Sequence, residues 1–188
     1  MKNLSLHNLK DEILNLSDSV FVQIVHSSTL DKDFLLTYTS GTHEKIMLFD
    51  GKRGFNQIAL IYYAIKGTKI KITDFEVDIE YQNKGIGRFL FNLALALSDL
   101  QGKVFAYGDA NPINEIKGIE SVKNVDSYTQ HIVKLFEIYQ SLGCSFNQKE
   151  DINRFETSWK HGEKFNSLNE TQQEIVINML NFNKELKK

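Results

Sequence analysis

Residues 72–108, ITDFEVDIEYQNKGIGRFLFNLALALSDLQGKVFAYG, hold the pattern around which the rest of the chain is read. Phe75, Val77 and Ile79 alternate with Asp74, Glu76, Asp78 and Glu80, the period of a strand. From Arg88 to Leu100 the residues are good helix formers, apolar almost all the way round, and Gly102 stands where a helix stop belongs. A second strand, Val104 to Tyr107, follows. Two strands joined by such a helix predict a βαβ unit with a right-handed crossover.

The loop inside that unit, Gln82-Asn83-Lys84-Gly85-Ile86-Gly87, carries the chemistry. Gly85 and Gly87 remove side chains where the backbone turns from strand into helix, so successive N–H groups can point at one anion. The helix N-terminus adds partial positive charge there, and Lys84 and Arg88 add full charges. The stretch reads as a pyrophosphate cradle. The phosphate loop G-x-x-x-x-G-K-[ST] does not occur. A dinucleotide G-x-G-x-x-G fails because Leu90 replaces the third glycine and polar residues 80 to 84 intervene, although Asp109 falls about 20 residues on. The plainest reading is a strand-to-helix turn without function.

Val77-x-Ile79-x-Tyr81-Gln82-x-x-Gly85-x-Gly87 resembles the acetyl-coenzyme A signature of the GNAT N-acetyltransferase superfamily, usually V-x-P-x-x-[QR]-x-x-G-x-[GA]. Residues Leu135 to Gly143, LFEIYQSLG, followed by Phe146, are similar to the superfamily's later helix ending. The two motifs stand in the family order and span 72 to 146. The resemblance implies a GNAT-like α/β fold of α+β type: a mixed, mostly antiparallel sheet flanked by helices, with the βαβ unit at its centre. It implies acetyl transfer from acetyl-coenzyme A to an amine of a small molecule or protein, by direct attack. The main chain at Val77 and Ile79 would hold the pantetheine arm, and Gln82, Asn83, Lys84, Gly85, Ile86, Gly87 and Arg88 the pyrophosphate. Tyr139 matches the tyrosine beside the leaving sulfur. Seven positions earlier, where the family often has asparagine, stands Ile132.

The flanking sequence fits such a sheet. A weakly amphipathic helix is predicted over 3–16, then strands over Val20 to Val25, Phe34 to Thr39, Lys45 to Phe49, Ile58 to Ile65 and Lys69 to Ile79. No helical pair of the kind GNAT proteins place after the first strand is visible between Val20 and Phe34. Residues 113 to 127 read as an insertion before a helix from about Ser127 to Leu142. One or two short strands follow in 144 to 162, with Phe155 to Trp159 the better defined. Ser167-x-x-Glu170 reads as a capping box opening a last helix at about 167–187. The 188 residues suit one domain.

Composition narrows the function. Hydrophobic content of 41% and charge of 24% are globular values. A net charge of -2 offers no field for nucleic acid. The one cysteine, Cys144, cannot form an internal disulfide and suits a reducing, cytoplasmic setting. No run is long enough to span a bilayer. The histidines lack metal-ligand spacing, so no metal is expected. The expected partners are acetyl-coenzyme A and an amine acceptor, with a homodimer left open. A general base is not evident: the resemblance implies one on the parity of Val77, where Lys71, Thr73 and Phe75 stand, while Asp74, Glu76 and Asp78 lie on the other parity unless a bulge intervenes. A module that binds acyl-coenzyme A without turnover is the alternative.

Overall fold

Alternating β-branched and aromatic residues between Val20 and Val77 build most of the sheet. The computed structural model describes residues 5–51, 56–111, 125–146 and 153–188. Helix α1 (Leu6–Leu16) leads into β1 (Val20–Ser27), β2 (Lys32–Thr39), β3 (His43–Asp50), β4 (Asn56–Lys66) and β5 (Lys69–Val77), paired antiparallel in sequence order. Helix α2 (Ile86–Leu100) crosses to β6 (Phe105–Asp109), which lies parallel to β5. After α3 (Val125–Ser141) come β7 (Ser145–Phe146), β8 (Arg154–Ser158), the single turn α4 (Glu163–Asn166) and α5 (Glu170–Glu185). Among the described residues eight strands run in the order β1-β2-β3-β4-β5-β6-β8-β7, and the other pairs are antiparallel. The expected mixed, mostly antiparallel sheet with a central βαβ unit is present.

Helix α2 is apolar on nearly every side because it is covered on nearly every side. Leu90, Phe91, Leu93, Ala94, Leu95, Ala96 and Leu97 are all buried, between the sheet and the segment formed by α4 and α5. They belong to one core with Tyr38, Ile46, Ile61, Tyr63 and Ile72. Even Asp99 is fully buried: its carboxylate accepts the backbone N–H groups of Gly162 (2.7 Å), Lys164 (2.9 Å) and Phe165 (3.2 Å). This satisfies the donors at the start of α4 and ties that segment to α2. Leu9 of α1 packs with Val22, Leu35 and Phe49 on the opposite sheet face.

Several boundaries differ from the sequence expectation. The strand predicted to reach Ile79 ends at Val77, and Ile79–Tyr81 form a 3-10 turn opened by Asp78, which accepts the Glu80 N–H at 2.8 Å. The helix expected at Arg88 starts two residues earlier. The capping box does not form. Ser167 Oγ donates instead to the Lys164 carbonyl at 2.8 Å, and Asn169 caps α5 by accepting the Gln172 N–H at 2.9 Å. Ser167 is drawn into the end of α4, so the next suitable side chain takes the cap. Of the insertion at 113 to 127, residues 113–124 lie outside the described residues and Val125–Ser127 begin α3.

Close approach at β6 makes one glycine indispensable. A Cβ on Gly108 would meet Phe155 Cζ at 2.6 Å and the Ile72 carbonyl oxygen at 2.7 Å, with no flexible end to yield. Gly108→Ala is expected to cost about 2 kcal/mol or more by overpacking. The melting temperature should then fall by about 4–8 °C. Unchanged thermal unfolding would mean that β5, β6 and β8 are less tightly packed than this.

Candidate acyl-coenzyme A site

The site begins where two strands part. Pairing of β5 with β6 covers only Lys69↔Phe105 to Ile72↔Gly108, yet β5 continues to Val77 with β4 on its other side. Asp109 pairs with Arg154, and the Ala110 N–H donates to the Asn153 carbonyl at 2.8 Å, so the chain after β6 follows β8 away from β5. Among the described residues no strand lies against Thr73 to Val77 on that side. The Asp78 N–H donates to the Ile58 carbonyl at 2.7 Å, toward β4. By the alternation of an antiparallel ladder, the N–H and C=O of Val77 and of Phe75 point the other way, into the gap. An open strand edge of this kind accepts an extended amide chain by main-chain hydrogen bonds.

Val77 ends β5 beside the gap, whereas Ile79 stands beyond the strand, in the 3-10 turn, and is 40% exposed. Gln82 closes this corner, its Nε2 donating to the Val77 carbonyl at 3.0 Å. The sequence reading named Phe75 only as a position sharing the parity of Val77; its main chain faces the same gap.

The cradle follows at once. Asn83 and Gly85 both adopt positive φ, 63° and 81°. Gly85 is the N-cap of α2 and offers no capping side chain, so the first-turn N–H groups lack intrahelical partners. A Cβ built on Gly85 meets nothing within 4 Å, so the space above the helix end is open. Gly87 differs, because its Cβ would meet Phe75 Cζ at 3.3 Å and Val77 Cγ2 at 3.4 Å; this glycine lets the helix start lie against β5. A side chain at Gly87 would thus press on β5, whereas one at Gly85 would stand in open space. Ile86 is buried and faces the core, leaving its N–H as its offering to the cradle. Arg88 is exposed, and Lys84 lies with Nζ 5.4 Å from the Tyr81 ring centroid.

Tyr139 of α3 packs beside Phe75 on the α2 face of the sheet. Its ring stacks on Phe155 (3.8 Å between centroids, 16° between planes) and neighbours Phe75, Phe91 and Phe146. Burial, with smaller contributions from Cys144 and Asp74, holds its hydroxyl well above the ordinary phenol range. The proton therefore stays on the oxygen throughout physiological pH. Burial also pushes the Cys144 thiol up to about 12, which keeps it unreactive. Ile132 is half-buried on α3.

A bulge governs the other sheet face. Asp74 pairs with Tyr62 and Ile72 with Tyr63, leaving Thr73 as the extra residue, its Oγ1 donating to the Tyr62 carbonyl at 3.1 Å. The bulge changes the parity: Ile70 and Ile72 before it, and Phe75 and Val77 after it, all join the core that contains α2. Lys71, Asp74 and Glu76 share the opposite face with Tyr62, which stacks on His43 at 5.4 Å. Of the three positions selected by parity with Val77, only Phe75 shares its face. Burial and then the charge of Glu76 raise the Asp74 carboxyl above the usual range. Instead of a helical pair, β1 and β2 are joined by a short turn, and α1 precedes both.

No protein-family model matches the sequence, and no curated protein matches it. Solved structures do match. A mutant of the cAMP-binding acyltransferase from Mycobacterium smegmatis superposes with a TM-score of 0.61 at 12% identity, over 95% of this chain and 59% of that one. The unmutated protein gives 0.57 at 12% identity, over 92% and 60%. The PaiA N-acetyltransferase from Thermoplasma acidophilum, in complex with coenzyme A, gives 0.45 at 15% identity, over 63% and 62%. The chain thus spans about three fifths of the length of these proteins. At such identities the likeness is one of fold. Among the described residues, no helix is long and apolar enough to cross a membrane.

Proposed function

From this GNAT-like acyltransferase fold, we propose that the chain is an N-acetyltransferase that moves an acetyl group from acetyl-coenzyme A to an amine. The observation that carries this reading is the edge of β5 after Ile72, bare among the described residues and followed, across the turn at 78–85, by a helix N-terminus with open space above Gly85. The residues fit the group: an extended amide arm suits the strand edge, and a pyrophosphate suits the first-turn N–H groups with Lys84 and Arg88.

Bound there, acetyl-coenzyme A supplies an activated thioester. The main chain of Phe75 and Val77 holds the pantetheine arm between the strands, and the cradle of Gln82 to Arg88 fixes the other end. The Thr73 bulge turns Asp74 and Glu76 toward the face from which an acceptor arrives. As the amine nitrogen bonds to the acetyl carbon and the carbon–sulfur bond breaks, Asp74 takes the amine proton, directly or through one water. Its raised affinity for protons suits it to this better than an ordinary aspartate. Tyr139 donates a hydrogen bond to the departing sulfur. Its raised value makes complete proton transfer to a thiolate, whose reference pKa is about 8.5, unfavourable. A stabilising hydrogen bond is the better-supported role.

Calorimetric titration with coenzyme A, followed by thiol release from acetyl-coenzyme A with a panel of amines, tests the proposal. Binding together with amine-dependent release is the expected outcome. Binding without release for any amine would support an acyl-coenzyme A-binding module, and absence of binding would refute both readings.

A further inference from the structure

Tyr81 stands four residues before Gly85, in the turn between the bare strand and the cradle. Its hydroxyl donates to the Asp50 carboxylate at the end of β3, and the Lys32 ammonium from the start of β2 bonds the same oxygen. Asp50 is 4% exposed, so an anion with two charge-assisted donors is held inside the fold at this point. Lys32 Nζ also lies 5.7 Å from the Tyr81 ring centroid and 5.4 Å from that of Phe34, whose ring meets Tyr81 edge-on at 6.1 Å. The Tyr81 ring in turn carries Lys84, at 5.4 Å. Turns joining a strand to a helix are ordinarily free to shift on the surface. This one is bound to two strands remote in sequence.

We propose that Lys32, Asp50 and Tyr81 form a clamp that positions the cradle, and Lys84 within it, for the pyrophosphate of coenzyme A. The clamp does not touch the reacting atoms, so these are positioning residues. The inference rests on the transferase reading above. It assigns function to a part-buried ion pair, a kind of contact that is often neutral or unfavourable for stability compared with apolar replacements. A conformation prepared before binding saves the ordering cost that a loose loop would incur on binding.

The variants Tyr81→Phe, which removes the bond to Asp50 but keeps the ring, and Tyr81→Leu, which also removes the platform under Lys84, separate the two contributions. For Tyr81→Phe the dissociation constant for coenzyme A and the KM for acetyl-coenzyme A should rise by about 10-fold, the worth of one charge-assisted hydrogen bond. Tyr81→Leu should show a further rise. At saturating acetyl-coenzyme A, kcat should stay within about twofold, a split that general loosening of the fold would not produce. In the ligand-free protein, amide exchange should quicken at 79–88 and not in β6. Asp50→Asn, which retains an acceptor for the hydroxyl, should lie between wild type and Tyr81→Phe. Unchanged coenzyme A affinity in both Tyr81 variants of a wild type that binds would overturn the clamp alone. A wild type that does not bind coenzyme A would overturn the transferase reading and the clamp's purpose with it, whatever the exchange rates show.

Discussion

Tyr139→Phe should bind coenzyme A as wild type does and turn over about 10²- to 10³-fold more slowly. The ring supplies packing on Phe155, Phe91 and Phe75, and phenylalanine keeps all of it. Only the oxygen is lost. If that oxygen stabilises charge developing on the departing sulfur, its removal resembles the loss of one oxyanion-hole donor, for which about 10²- to 10³-fold in kcat is usual. The expected KM is unchanged, because the bond forms only as the carbon–sulfur bond breaks. A steady-state assay beside a calorimetric titration decides the matter. Wild-type turnover would leave Tyr139 as a packing residue and remove the hydrogen-bond donor assigned to the departing sulfur.

Gly85→Asp should abolish most coenzyme A binding in a protein that remains folded. The position has φ of 81°, which aspartate tolerates better than most residues, and its Cβ would project into open space. The carboxylate is also well placed for stability, since it faces the positive end of α2. That is the charge the pyrophosphate must meet. At a separation of about 4 Å and an effective dielectric of about 20 the repulsion approaches about 4 kcal/mol, so a loss of about 10²-fold or more is expected. Gly85→Ala, with the strain and no charge, should change the dissociation constant by less than about threefold. Gly87→Ala presses instead on Phe75 and Val77 and should register in thermal unfolding. Equal coenzyme A affinities in wild type and Gly85→Asp would refute the cradle.

The βαβ unit, the buried character of α2 and the glycine-bearing strand-to-helix turn were legible in residues 72–108 alone. Each depends on local physics: period-2 alternation, an apolar helix too uniform for a surface, and glycines at a strand-to-helix turn. The same locality explains what could not be read. Parity along β5 reverses at Thr73 only because Tyr62 and Tyr63, about ten residues upstream, pair with Asp74 and Ile72, and register belongs to a pair of strands. Gly85 and Gly87 look alike in sequence, and only the packing of Phe75 and Val77 assigns them different work. Glu44 stands just before the strand expected over Lys45 to Phe49, with nothing in the sequence to mark it as buried. It is nevertheless buried, accepting from Tyr63 Oη at 2.7 Å and Gln101 Nε2 at 3.1 Å, and burial raises its carboxyl above the usual range. Asp50 with Tyr81, and Asp99 with the start of α4, likewise join residues 31 and more than 60 positions apart. Hydrophobic periodicity is written along the chain. The partner of a buried polar group is chosen by the fold that removes water from it, and that choice exists only in three dimensions.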